Sequence, residues 1–479
     1  MGTGPMKTLV KYLLFIFILL AADYAHAKVL TAKSVLNHTY SESLEVKAKR
    51  LDSPISKENV KVAKSQYDTY LSAAFSYTDD QAATSNSVFG TQSTNTSYDF
   101  SVSQLTPLGT EINLSFLNDR ETTNSAFSSL ASYYDSRLYF QITQPVLNNL
   151  FGLQNRKTVT LAKKINEKEE AVVDQKLQEI AFRNLKLYWQ YYMYARLERV
   201  RAHAVDSSLK LYRTNKAKMN IGLIEKTDIY PFAANVDLKR SDLYAAQSKL
   251  VQTRAKLKTA LNLTDKKLSI GKESFAYKKL SSLNDITRKA ILVHPQYIAQ
   301  KKQLKAQDIQ VAIDKNNRLP QIDLVGSLTL NGLDPSYGTS VENISDGNTV
   351  FQGGVNVSFP LLNKSARANY KKSHLTQKKL LYAIKHLEEQ IINDIEASYE
   401  SYQIARKRMY VLATAVKHQK LKWEGEVAKY DQGRSDPDLV IRYQNDYLDT
   451  KQLYIQTQVE FSLAKLELDF SKGSLKPGK

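Results

Sequence analysis

The 479-residue chain is strongly basic, with 67 lysines and arginines against 48 aspartates and glutamates for a formal net charge of +19, and it has no cysteine. The missing cysteine excludes disulfides, thiolate metal sites, a catalytic thiol and a lipid-accepting cysteine, so any membrane attachment has to come from the fold. The basic balance suits acidic partners such as lipid phosphates or anionic cargo, although charge runs more often mark solvated helix faces; the charge is spread along the chain without a nucleic-acid-binding motif, which argues against nucleic acid.

The first 27 residues read as an export signal. Lys7 and Lys11 precede an apolar stretch from Leu13 to Ala22, and Ala25-His26-Ala27 supplies the small-x-small cleavage pattern. The stretch is too short for a membrane-spanning helix, which needs ~20 apolar residues. Losing Lys7, Lys11 and Asp23 leaves +18 on the expected mature chain. No later segment reaches the length of an apolar membrane helix.

After a helical stretch at ~31–66, apolar and polar residues alternate with the period of a strand. Leu71, Ala73, Phe75 and Tyr77 form one set; Tyr98, Phe100 and Val102 a second; Ile112, Leu114 and Phe116 a third; Leu138, Phe140 and Ile142 a fourth. Further on, Ile322, Leu324, Leu328 and Leu330 repeat the pattern, as do Val355, Val357 and Phe359. The connections 79–97, 119–135 and 331–352 are long and rich in Ser, Thr, Asn and Gly, whereas 105–109 is short. Long loops on one side and short turns on the other are how outer-membrane barrels are built, and Tyr133, Tyr134 and Tyr139 are candidates for an aromatic girdle.

The remainder is helical. Residues ~153–221 contain no proline, and a helix of that length is ~100 Å long. Helices follow at ~227–263, ~365–432 and ~438–471, with leucine and isoleucine spacings of coiled-coil type, and a shorter helical stretch at ~284–318 precedes the second strand set. The order is short helices, strands, long helix, turn, long helix, and then the same again. Pro145 and Pro360 each stop a strand ladder ahead of a long helix, and Gly222 and Gly433 each fit a helix C-terminus. The implied organisation is a signal at 1–27, a first repeat at 28–263, a linker at 264–283, a second repeat at 284–471 and a basic tail at 472–479. The fold class is α+β: a shared transmembrane β-barrel continued by a long periplasmic α-helical barrel.

Four to six strands are too few for a closed membrane barrel, which has about eight or more, so the barrel must be shared between subunits. A long amphipathic helix likewise needs neighbours for its apolar seam. A barrel continued by a ring of helices is a conduit.

The chain resembles the TolC-like outer-membrane efflux protein family over nearly all of the mature sequence. The resemblance is carried by Gly222-Leu223-Ile224-Glu225-Lys226-Thr227-Asp228-Ile229, by Gln144-Pro145-Val146-Leu147 with Phe151-Gly152, and by Arg318-Leu319-Pro320-Gln321. It implies a homotrimer in the outer membrane with a twelve-strand barrel, a twelve-helix periplasmic tunnel, and docking to a periplasmic adaptor (membrane fusion) protein and an inner-membrane transporter. It also implies a closed periplasmic entrance at the helix tips. Thr227 and Asp228 match positions that bond to the neighbouring tip, Tyr430 matches a partner there, and the arginine partner falls at Arg434 or Ser435. Asp438 fills one place of an acidic ring, while Ile441 and Arg442 depart from the next. Capping is the other reading of these residues: Asp436 before Pro437 is a good N-cap, and Thr227 or Asp228 suits the other tip. The resemblance expects two strands per repeat, whereas the first repeat holds four, so the hairpin 98–118 either joins the barrel or folds outside it.

No chemistry competes with this reading. His386-Leu387-Glu388-Glu389 lacks the second histidine of the helical zinc motif, and neither a Gly-Lys-Ser/Thr phosphate loop nor Gly-x-Ser-x-Gly occurs. No cofactor or metal is expected, and no enzyme activity. The run Tyr188-Trp189-Gln190-Tyr191-Tyr192-Met193-Tyr194 reads as helix packing rather than a docking belt. Two alternatives share features with the duct: the exit duct of a type I protein secretion system has the same fold, and a surface-anchored coiled-coil protein would lack the second strand set.

Overall fold

The computed structural model describes residues 28–83, 85, 88, 90–263 and 267–477; the export-signal reading lies outside them. The chain divides into two compact units, each assembled from separated segments.

The first unit comprises Ser53–Glu170 and Ala299–Ile384. Its centre is a six-stranded antiparallel sheet of β2 (Tyr70–Asp80), β3 (Ser93–Leu105), β4 (Glu111–Thr123), β5 (Ser132–Pro145), β7 (Gln321–Asp334) and β8 (Thr349–Ser358), in that order. The strands run further into the loops than alternation alone indicated, and the connection after β7 contains a short helix, α8 (Tyr337–Glu342). The hairpin 98–118 is continuous with the sheet: Phe100 pairs with Phe116, and on either side Ala73 pairs with Phe100 and Phe116 with Leu138.

Register makes the sheet two-faced, because successive side chains point to opposite sides. Leu71, Ala73 and Phe75 lie level with Val102, Phe100 and Tyr98; the same row continues through Leu114 and Phe116, Leu138 and Phe140, Leu328 and Leu330, to Phe351 and Val355. The opposite face carries Ser72, Ser101, Ser103, Asn113, Gln141, Ser327 and Asn356, with a Ser72–Ser101 hydroxyl contact of 2.6 Å. Ten to fourteen residues per strand suffice for a membrane β-strand, which needs about 9–11.

The girdle expectation is corrected by parity. Tyr133 and Tyr139 fall on the polar face, Tyr133 donating to Glu121, while Tyr134 shares the apolar face and meets Tyr337 of α8 at 5.7 Å. Ser340 of α8 reaches Ser136 at 2.8 Å on that face, covering the polar Asn118–Ser136 pair.

At the other end of the strands, Thr106-Pro107-Leu108-Gly109-Thr110 turns tightly, with the Thr106 amide donating to the Thr110 carbonyl at 2.8 Å. Gly109 and Gly152, both at positive φ, lie against each other there; a Cβ on Gly152 would come within 2.2 Å of the Pro107 carbonyl. Backbone approach this close requires glycine. The unit's helices are α3 (Asp52–Lys64), the start of α4 (Leu153–Asn220), α7 (Pro295–Asn316) and the start of α9 (Lys364–Asp431). Polar side chains tie them: Asn155 donates to Gln66 at 2.8 Å, and Gln377 to Asp308 at 2.8 Å.

The second unit runs to Asp52 and comprises also Ala171–Ile298 and the chain from Lys385. It holds β1 (Lys28–Leu30), α1 (Ala32–Glu42), α2 (Leu44–Arg50), most of α4, α5 (Tyr230–Ala260), β6 (Leu268–Ile270), α6 (Leu283–Val293), most of α9 and α10 (Pro437–Ser471). The aromatic run is core, as its packing reading required: Tyr188, Trp189, Tyr191 and Tyr192 are buried. The stretch read as linker is not merely a connection. Leu268–Ile270 pairs in parallel with Lys28–Leu30, and Tyr188 and Tyr191 donate to the Leu30 and Leu268 carbonyls at 3.2 and 3.1 Å. Glu273 accepts from the Ala32 amide at 2.7 Å and from Tyr188, whose phenol burial and that carboxylate hold well above its ordinary range. The basic tail is also docked, with Leu475 buried and its carbonyl accepting from Tyr40 at 2.8 Å.

Candidate functional site: helix tips and open sheet edges

In the second unit, two helix hairpins end in the same turn. The Gly222 amide bonds the Met219 carbonyl and the Leu223 amide the Lys218 carbonyl; the Gly433 amide bonds Tyr430 and the Arg434 amide Lys429. Both glycines have φ near +70° (75° and 70°), the left-handed conformation that closes a helix with this bond pair.

Beyond the glycines the tips differ. Asp436 caps α10, its carboxylate accepting from the Leu439 amide at 2.9 Å, with Pro437 at the first helical position. Thr227 and Asp228 do not cap α5, contrary to expectation. They form a 3₁₀ turn (Thr227–Ile229), in which Asp228 accepts from the Glu225 amide at 3.2 Å, and α5 starts after Ile229 with no side-chain cap. The 3₁₀ turn passes directly into the helix, leaving no extended N-cap residue for a side chain to serve.

Tyr430 joins the hairpins. It is 8 % exposed, packs with Ile229, Phe232 and Val440, and donates to the Asn215 carboxamide oxygen at 2.6 Å. Asn215 is fully buried and donates to the Leu211 carbonyl at 2.8 Å. The phenol is therefore satisfied within its own chain. Burial, then the nearby Asp228 and Asp431 charges, push its pKa up, so it stays a donor at neutral pH. Lys218 lies 4.8 Å over its ring and 3.6 Å from Asp431.

Of the two candidate partners, Ser435 donates to Glu426 at 2.6 Å, whereas Arg434 is exposed and turns back to Gln432. Glu426, also 3.2 Å from Lys429, is held below the usual carboxylate range by the Ser435 and Lys429 hydrogen bonds. Asp438 and Arg442 are exposed on α10, and Ile441 packs on the Tyr430 cluster. The structure thus brings Tyr430 together with Asn215 and Ser435 with Glu426, and does not join Thr227, Asp228, Arg434 and Asp438 within one chain. Asn215 and Glu426 were missed; an asparagine inside the last turns of the long helix, where it is a poor helix former, is the signal that points to Asn215. Further along, Asn235 contacts Ser208 and Gln444 at 3.2 and 3.3 Å, a buried polar layer across α4, α5 and α10.

In the first unit, Pro145 closes β5 opposite Asp323, and Pro360 follows β8. The edges lie at β2 and β8, and every residue of both strands is exposed. The helices joined to these edges also carry uncovered apolar rows: Ile55 and Val62 on α3, Leu375 and Tyr382 on α9, each seven residues apart. Among the described residues no cluster of His, Cys, Asp or Glu could hold a metal ion, and no helix is long and apolar enough to cross a membrane.

A two-faced antiparallel sheet with open edges in one unit and paired helix hairpins in the other is a fold shared with solved outer-membrane channels. The solved structures agree. The Campylobacter jejuni CmeC outer membrane channel has TM-score 0.70 and 12 % identity, covering 94 % of this chain and 87 % of that one. The Vibrio cholerae outer membrane protein VceC has TM-score 0.69 and 12 % identity, covering 92 % and 96 %. The open state of the Neisseria gonorrhoeae MtrE outer membrane channel has TM-score 0.69 and 13 % identity, covering 93 % and 90 %. No family profile and no curated protein matches the sequence. The TolC-like resemblance therefore holds at the level of the fold.

Proposed function

We propose that the protein is a subunit of an outer-membrane channel that assembles as a homotrimer, acting as the passive exit duct of a tripartite efflux system fed by an inner-membrane pump and a periplasmic adaptor. The observation that carries this reading is the sheet: one face apolar, the other polar, and two fully exposed edge strands. An open edge in lipid leaves backbone groups unpaired at several kcal/mol each, so the edges must meet other edges. With six antiparallel strands, β2 and β8 run in opposite directions, so β8 of one copy pairs with β2 of the next in the same antiparallel sense all round the ring. Such a head-to-tail contact closes when the rotation between copies closes. The seams on α3 and α9 lie on the same two flanks and extend the contact. Three copies then contribute eighteen staves, wider than the twelve the resemblance alone implies.

The tips are the proposed periplasmic entrance, with Thr227, Asp228, Arg434 and Asp438 left for the neighbouring copy and Tyr430 holding each copy's hairpins together. Purification from outer membranes followed by particle mass and planar-bilayer current tests the reading: three copies and a stable conductance are expected. A monodisperse single chain without current overturns it.

A further inference from the structure

The basic charge is not evenly used. In the first unit, residues 53–64, 153–170, 299–318 and 364–384 hold nineteen lysines and arginines and six carboxylates. The loop end of the same sheet is the reverse: residues 79–92, 117–137 and 331–350 hold eight carboxylates and two arginines. The unit is thus polarised along its strands, with the cations on the helix side.

At the junction of strands and helices Lys64 precedes β2, Arg156 follows β5, and Lys364 and Arg367 follow β8. All four are exposed, and none is in an ion pair among the described residues. Asp68, Glu111 and Asp323 share this end without pairing with them. Three of the four cations occupy the first turns of α4 and α9, neither of which has an acidic residue in its first turn. The positive end of a helix dipole disfavours cations there and favours anions. Exposed apolar side chains interleave with them: Leu361 is 95 % exposed, Leu362 65 % and Phe151 60 %. Soluble anions need the cations only. A lipid needs both, headgroup for the charge and acyl boundary for the leucines.

We infer that this junction is a collar that binds anionic glycerophospholipid headgroups of the leaflet on the helix side of the barrel. The inference rests on the channel reading above. Lysines further down α9, such as Lys378 and Lys379, lie more than a Debye length of ~8–10 Å beyond the junction and are outside the collar.

The test uses the full mature chain, purified in detergent and reconstituted into nanodiscs of equal phosphatidylglycerol and phosphatidylcholine. Lipid retained through re-extraction is counted by native mass spectrometry. Phosphatidylglycerol should be enriched at low salt and the enrichment lost at 1 M salt. The variant Lys64→Gln/Arg156→Gln/Lys364→Gln/Arg367→Gln should reduce the enrichment at least fivefold, and Lys378→Gln/Lys379→Gln/Lys385→Gln should leave it intact. Should the collar variant misfold, the salt titration of the unaltered protein still decides. Equal retention of the two lipids, or equal loss in both variants, overturns the collar. So does displacement by inorganic phosphate or polyglutamate as effectively as by phosphatidylglycerol vesicles, which would assign the cations to soluble anions. Planar-bilayer current on the same preparation separates the readings: current without lipid preference refutes the collar alone, and absent current refutes the channel.

Discussion

The sheet and the helix tips solve the same problem in opposite ways. At the tips, buried polar groups find partners in their own chain: Tyr430 donates to Asn215 and Ser435 to Glu426. In the sheet, β2 and β8 end the ladder with all their residues exposed. A side chain has rotamers with which to reach a nearby partner, but a strand edge needs another strand. The difference teaches that side chains of one chain can satisfy one another at a tip, whereas the same chain leaves its strand edges open.

Five changes break or sharpen that contrast. Phe232→Ala should have the largest effect, removing a ring 1 % exposed beside Tyr430 at a cost of about 3–5 kcal/mol. Hydrogen exchange should show the tip residues opening while the sheet stays protected. Phe140→Lys, in the apolar row, should cost about 2–4 kcal/mol in lipid and reduce assembled particles, whereas Gln141→Lys on the polar face should leave particle yield unchanged. Tyr430→Phe strands the buried Asn215 oxygen and should cost about 1–3 kcal/mol, read as raised conductance in planar bilayers with the oligomer intact. Asp436→Ala removes one cap and should cost about 1 kcal/mol, visible as faster exchange at Leu439.

The smallest effect is acid loosening. Because Glu426 is held below its ordinary value, its contribution is present above that value and is lost as pH falls through the lower, folded one. Conductance should therefore hold steady from pH 7 to about 4.5 and rise only below it, and Glu426→Gln should abolish the rise.

Each long helix, each tip glycine and the two-residue rhythm of every strand were legible in the amino-acid order, because helix caps, turns and alternation are decided within a few neighbouring residues. Register was not. Alternation separates Tyr134 from Tyr133 and Tyr139 once β5 is known to run unbroken from Ser132, but only pairing shows that Tyr134 stands level with Arg120 and Asp334. Nor did local pattern show that the hairpin 98–118 lies inside the sheet, that Leu268–Ile270 pairs with Lys28–Leu30, or that Asn215 receives Tyr430. Those partners are hundreds of residues apart or lie on separate elements, and their meeting depends on how complete surfaces pack. The sequence by itself determined the long helices, the main strands and where they turn; only the tertiary structure decided which polar groups find partners within the chain and which strand edges stay open, because that depends on every neighbour at once.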